Sequence, residues 1–253
     1  TLNSSEALAT AGTPAPATLS ITAGTGDVTF GNIVGGATYT ATNGALGAVT
    51  LVSATNVDIN AAFTAASLTQ QTGSGTTTIG GATTLTGALG FTGGNLVINA
   101  AVGAGGTVSF TGSALTVNAA VTAGGAVTVA NTGTFTTIAA GSITAAGAFN
   151  QTGAGANSLA GNVSLTLDSA ALSFATAVTL TGNVVFSTTN GAATFAEVVD
   201  GTADNDQNLT LNAGTGVVTF AKALGAVKKL GDVVANSTGA TQFQGAVLAK
   251  SLT

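Results

Sequence analysis

The chain has no cysteine, histidine, methionine or tryptophan, its only cations are four lysines, and it contains two prolines and one tyrosine, Tyr39. Without cysteine there is no disulfide framework and no thiolate nucleophile. Without histidine the usual catalytic triads and imidazole metal sites are unavailable. Charged residues make up 5% of the chain, against about 25% in an average globular protein. The lysines (Lys222, Lys228, Lys229 and Lys250) all fall in the carboxy-terminal part of the chain, and the net charge is −5. A nucleic-acid binder needs a basic stripe to displace counterions from phosphates, so nucleic acid is excluded as a partner.

Mean hydropathy is +0.54, yet no apolar run reaches the roughly 18 residues of a membrane-spanning helix. A membrane barrel requires aromatic girdles at both interfaces, which one tyrosine and no tryptophan cannot build. Membrane insertion is therefore not expected, and the hydropathy belongs to a protein interior. The chain begins at Thr1 with no basic, then apolar, leader. That start suggests a processed or excised chain, and the bias toward small, oxidation-resistant residues suits bulk export to the cell surface or beyond.

What the chain has in quantity is glycine (37 residues), alanine, threonine, valine, leucine, serine and asparagine. These form short alternating segments such as Val28-Thr29-Phe30, Val57-Asp58-Ile59, Val108-Ser109-Phe110, Val178-Thr179-Leu180 and Leu209-Thr210-Leu211. Each has the in–out–in pattern of a half-buried strand. Gly, Asn, Ala and Thr clusters separate them, too short for helices.

The segments recur. Residues 95–110 align with 114–129 at an offset of 19, bringing Leu96 onto Leu115, Ile98 onto Val117, Val108 onto Val127, and Gly105-Gly106 onto Gly124-Gly125. Ile59-Asn60-Ala61-Ala62 returns at Ile98 after two units, and residues 19–30 return as 209–220 after an offset of 190, close to ten units. A unit of about 20 residues, with a shortest offset of 19, holds three short strands and three turns, and it buries its apolar side only by stacking on its neighbours. The expected fold is therefore all-β: a parallel β-helix, or three-sided β-solenoid. An internal ladder is expected at Ile59, Ile79, Ile98, Val117 and Ile138, with a corner ladder at Asn60, Asn99 and Asn118. About twelve coils would make a rod on the order of 60 Å long.

An antiparallel sandwich is the competing fold. It would use hairpin turns at Asn43-Gly44, Asn190-Gly191 and Asp200-Gly201, but it leaves the 19-residue register unexplained. Residues 1–18 hold Pro14 and Pro16 and no alternating segment. They are expected to form an extended arm or linker ahead of a solenoid over 19–253.

The strings LTLNAGTGVVTF (209–220), VTLTGNVVFSTTNGAATF (178–195) and STGATQFQGAVLAKSLT (237–253) resemble the repeat regions of large bacterial surface proteins of the filamentous-haemagglutinin type. The likeness is one of repeat style and spans about residues 19–253. It implies a right-handed parallel β-helix, export, and a part in surface attachment or spacing. It carries over no functional residue. The chain departs from such proteins in being short and in lacking their amino-terminal secretion domain.

Candidate chemistry is sparse. Glu197 to Asp206 is the one acidic cluster, and Asp200, Asp204 and Asp206 supply the hard oxygen ligands that Ca²⁺ takes, although their spacing is not that of a calcium-binding loop. The bland alternative is a solvated loop that bulges from the coil. No other cofactor and no catalytic residue is expected, because the remaining acids are scattered and Lys250-Ser251 are strand neighbours facing opposite ways. Threonine rows at Thr38, Thr40 and Thr42, Thr76 to Thr78, and Thr84 and Thr86 suit exposed strand positions; an ice-binding or polysaccharide-acting solenoid is a remote alternative. Strand character persists to the end of the chain without a capping helix, and open solenoid edges template further strands. The expected function is thus a non-enzymatic structural subunit of an extracellular fibre or sheath, its partners being copies of itself. The alternative is a rigid stalk or adhesive segment of a larger surface protein, flanked by other parts of that protein.

Overall fold

The computed structural model describes residues 16–35 and 46–253. Every described strand is three to eight residues long and parallel to its neighbours. One turn of the winding shows the plan. Asn95–Ile98 lies on a first face, Val102–Ala104 on a second and Val108–Gly112 on a third, before Leu115–Val117 returns to the first face directly beside Asn95–Ile98. The first face is a separate 9-stranded sheet, while the second and third belong to one bent 20-stranded sheet. The two merge because a few strands turn the corner unbroken: Phe63–Gln70 pairs with Thr83–Leu85 on one side of the bend and with Leu89–Thr92 on the other. The molecule is a parallel β-solenoid of about ten coils.

Period-2 alternation explains why these residues form these strands. At Val127–Asn131, for example, Val127, Val129 and Asn131 point inward and are buried, while Thr128 and Ala130 are half-buried on the outside. Parallel stacking then places like on like. Leu96 pairs with Leu115, Ile98 with Val117, and Val108 with Val127, which is the offset of 19 seen in the sequence. The glycine pairs stack as well, and for a steric reason: a Cβ on Gly124 would collide with the carbonyl oxygen of Gly105 in the coil beneath.

Phenylalanines recur in the inner column of the third face. Phe174, Phe195, Phe220 and Phe243 occupy successive coils. Their ring centroids are 5.5, 4.9 and 5.4 Å apart and their planes lie within 10° of parallel, an offset-stacked geometry imposed by the strand spacing. Further down, Phe91 stacks on Phe110 at 5.3 Å.

Four expectations need correction. The internal ladder runs Ile59, Ile79, Ile98, Val117 and then Thr137, not Ile138. Thr137 is 1% exposed, and its hydroxyl accepts the Ala160 and Gly161 N–H groups at 3.1 and 2.9 Å. Ile138 instead takes the corner position held one coil earlier by Asn118, and is 45% exposed. The corner ladder is bonded between Asn118 Nδ2 and Asn99 Oδ1 at 2.8 Å, but Gly80 separates Asn99 from Asn60.

The period itself also drifts more than the repeats suggest. Phe149 pairs with Val127, Leu172 with Phe149, and Val218 with Ala193, at offsets of 22, 23 and 25. Longer corners therefore reduce the coil count from twelve to about ten, near 50 Å of rod at roughly 4.8 Å per coil. Finally, the two similar phrases at 19–30 and 209–220 are not equivalent. Leu19–Thr22 belongs to the third face and Val28–Phe30 to the first, whereas Leu209–Gly214 is on the second and Val218–Phe220 on the third.

Of the expected arm, residues 1–15 lie outside the described residues, as do Thr38, Thr40, Thr42 and Asn43-Gly44. The Ala17 carbonyl accepts the Gly47 N–H at 2.8 Å. The other two hairpin candidates are not hairpins. Asn190-Gly191 rounds the corner between the second and third faces, with Asn190 at φ 60°, and Gly201 closes a first-face strand that begins at Val199.

Candidate functional site

The acidic segment forms a long corner between the first and second faces. After Val199–Gly201 the chain leaves the coil and returns at Leu209. Gln207, 4% exposed, closes the base of this loop: its Oε1 accepts the Thr202 and Ala203 N–H groups at 2.9 and 3.2 Å, and its Nε2 donates to Asp206 Oδ2 at 2.7 Å. Asn205 sits at the tip with φ 61°, a left-handed conformation that asparagine tolerates better than most residues.

Residues 225–229 of the next coil lie on this loop. Asp200 Oδ1 accepts the Val227 and Lys228 N–H groups at 3.0 and 3.1 Å, and Asp204 Oδ1 accepts the Lys229 N–H at 2.9 Å. The Asn205 N–H donates to the Lys229 carbonyl at 2.8 Å. The three acids expected as calcium ligands, Asp200, Asp204 and Asp206, are therefore each turned to a different protein donor. Among the described residues no group of three His, Cys, Asp or Glu side chains is placed to hold a metal ion. The physical reason is that backbone N–H groups at a solenoid corner have no strand partner, and nearby carboxylates satisfy them.

The same capping recurs where the sequence reading did not look for it. Asn183 Oδ1 accepts the Asn208 N–H at 2.9 Å, Asn208 Oδ1 accepts the Asp232 N–H at 2.7 Å, and Asp232 Oδ1 accepts the Ser251 hydroxyl at 2.7 Å. The available signal was an Asx residue just ahead of successive strands, obscured by a spacing of 24 or 25 rather than 19. Ser251, considered as a partner for Lys250, is thus bonded to Asp232.

A second polar group lies inside the wall. Gln151, stacked between Val129 and Phe174 in the inner column of the third face, is 1% exposed. Its Nε2 donates to Asn131 Oδ1 at 2.8 Å and to the Gly153 carbonyl at 2.7 Å, while its Oε1 accepts the Ala175 and Thr176 N–H groups at 3.1 and 3.2 Å. Asn157 Nδ2 donates to Thr176 Oγ1 at 3.1 Å and to the Ala177 carbonyl at 3.0 Å, and Asn157 Oδ1 has no hydrogen-bond partner. This cluster joins three coils at the corner between the third and first faces.

At both ends of the described coils the inward side chains are less covered than in the middle. Phe243, Val247 and Ala249 are only partly buried, although Phe220, Leu224 and Leu230, which they stack on, are 1%, 1% and 0% exposed. At the other end Leu19, Ile21 and Val34 are partly buried, above which Val49 and Leu51 are 0% and 1% exposed. Between the ends, the outward row of the third face runs uncharged from Ser20 through Thr50, Ser109, Thr128 and Thr194 to Gln242. Thr77, from one of the expected threonine rows, points inward instead and donates to Gln70 Oε1 at 2.6 Å.

No family model matches the chain, and neither a curated protein nor a solved structure matches it.

Proposed function

We propose that this chain is a non-enzymatic structural rod, a subunit of an extracellular fibre or sheath that assembles end to end through its open coil edges. The observation that carries this reading is the partial exposure of Phe243 and Ile21, which have the same inward orientation as the fully buried side chains beside them. Open parallel edges present unpaired N–H and C=O groups that template further strands, and contacts that repeat without closing generate filaments. Continuous backbone pairing along the axis would make such a filament stiff. Negative-stain electron microscopy of the purified chain tests the reading: long uniform filaments support it, and dispersed rods of about 50 Å count against it.

The resemblance of residues 178–195, 209–220 and 237–253 to surface-adhesin repeats favours a second reading, a rigid stalk or adhesive segment in a larger cell-surface protein. In that case further coils of the same polypeptide cover the ends. Dispersed rods in the microscope are its expected signature.

A further inference from the structure

We propose that the end-to-end contact has a single register, in which Leu19–Thr22 of one copy adds in parallel to the free edge of Thr241–Phe243 of another and Ile21 closes the column above Phe243. The inference rests on the fibre reading and specifies its joint.

The winding itself makes the two ends complementary. The last strand, Ala249–Leu252, lies on the second face, pairing with Leu230–Ser237. The first, Leu19–Thr22, lies on the third face, pairing with Leu46–Ser53. The third face follows the second in every coil, so the spiral step at each end falls at the same corner. Ahead of Leu19 the described chain runs back over that corner, where the Ala17 carbonyl accepts the Gly47 N–H, and a second copy seated there brings Leu19–Thr22 over Thr241–Phe243. Among the described strands, Leu19–Thr22 pairs only with Leu46–Ser53, and Thr241–Phe243 only with Val218–Phe220. Neither has a second strand partner among the described strands, and both run the same way as every strand between them. Joining two like ends would force antiparallel pairing, which occurs nowhere in the molecule's described strand register.

The pleat then selects the register. Leu19 and Ile21 face inward and Ser20 outward. On the opposite edge Phe243 stacks inward on Phe220, with Gln242 exposed. Direct stacking puts Ser20 on Gln242 and Ile21 on Phe243. A slip of one residue would drive Ser20 inward and expose Ile21. The first face agrees, because its inner column begins at Val28 and ends at Val247, placing valine on valine in the same register.

Charge favours the same polarity. Residues 218–253 carry Lys222, Lys228, Lys229 and Lys250 against Asp232, whereas residues 16–60 carry Asp27 and Asp58 and no cation. Head-to-tail contact brings unlike ends together, and contact between like ends is opposed.

The absence of cysteine makes the joint directly testable. Residues stacked on adjacent parallel strands lie about 4.8 Å apart, within the Cα separation a disulfide accepts. Ser20 and Gln242 are both exposed, so Ser20→Cys and Gln242→Cys leave the core untouched. The double variant, oxidised at concentrations that give filaments, is expected to run as a ladder of covalent oligomers on a non-reducing gel. Each single variant stops at dimer. A Thr50→Cys/Thr219→Cys control, with each residue one coil further from its end, stays unlinked. Filaments by microscopy without the Ser20–Gln242 ladder would overturn the register and leave the fibre reading standing. Absence of both filaments and ladder, with the rods capped by further coils of a longer chain instead, would remove both.

Discussion

Gln151 Nε2 donates to Asn131 Oδ1 at 2.8 Å across one coil boundary, inside a wall whose neighbouring inner positions are Val129 and Phe174. An apolar residue at this position would continue the column but not the hydrogen bonds. Asn131 Oδ1 and the Thr176 N–H depend on the Gln151 amide, whereas the Ala175 N–H also has the Gln151 backbone carbonyl at 3.1 Å. Gln151→Leu is therefore expected to destabilise the rod by about 2–4 kcal/mol, since each stranded buried polar group costs about 1–3 kcal/mol. The check is the denaturation midpoint in guanidinium. A double variant with Asn131→Val should cost less than the sum of the two single changes, because the same bond is lost in each.

Thr137 and Ile138 provide a test in which sequence pattern and structure disagree. The expected apolar ladder makes Ile138 a core residue, whereas the structure buries Thr137 and exposes Ile138. Thr137→Val keeps the shape but removes the acceptor for the Gly161 N–H, while the Ala160 N–H keeps the Thr137 backbone carbonyl at 3.0 Å, and should cost about 1–3 kcal/mol. Ile138→Asn should lie within about 0.5 kcal/mol of the parent, as for other exposed substitutions. Equal effects at the two positions would contradict the assigned register.

Phe195 and Phe243 occupy the same column at different depths. Phe195 is 1% exposed and stacks on both Phe174 and Phe220, while Phe243 has the Phe220 ring on one side only. Phe195→Ala is expected to cost about 3–5 kcal/mol, the usual loss for a buried aromatic. Phe243→Ala should cost well under half of that in dispersed rods, and should raise the concentration needed for filaments. Thermal melts at low concentration and a sedimentation assay at high concentration separate the two effects.

At the acidic corner the expected outcome concerns loop order rather than metal. Asp200→Ala releases the Val227 and Lys228 N–H groups, loosening a segment whose tip residue Val227 is already 80% exposed. Trypsin should then cut after Lys228 and Lys229 several-fold faster, as expected when local opening becomes easier. Asp200→Asn, which keeps an acceptor oxygen, should stay close to the parent. Ca²⁺ and EDTA should leave both the melting temperature and the cleavage rate unchanged; a calcium-dependent shift would show that the acids converge on an ion after all.

How much of this was legible in the sequence differs from one part of the chain to another. Over residues 57–129 the coil length holds at 19 to 21, and the stacking of Ile98 on Val117 and of Val108 on Val127 could be read directly. Beyond Asn131 the corners lengthen, and a fixed period misplaces residues by one or two positions. In a structure with a side-chain period of two, a one-residue error exchanges inside for outside, as happens where the apolar Ile138 is chosen over Thr137, the true partner of Val117. The acidic cluster was visible as a cluster, but not the backbone donors its carboxylates serve, because those donors come from the following coil, beyond the reach of any local motif.

The sequence by itself determined the class of the molecule. Alternating triplets make strands, small residues make tight corners, and a repeating unit too thin to bury its own apolar side must stack. It also excluded thiol and imidazole side-chain chemistry, since absent side chains cannot be supplied by folding. Only the tertiary structure decided which strand shares a face with which. All three faces demand the same alternation, so a phrase such as residues 19–30 fits two different faces equally well, and the choice depends on how many residues each corner consumes. Corner length is set by hydrogen bonds within the corner, such as that of Gln207 with Thr202, and between coils, such as that of Asp200 with Lys228, and the second kind forms only once one coil rests on another.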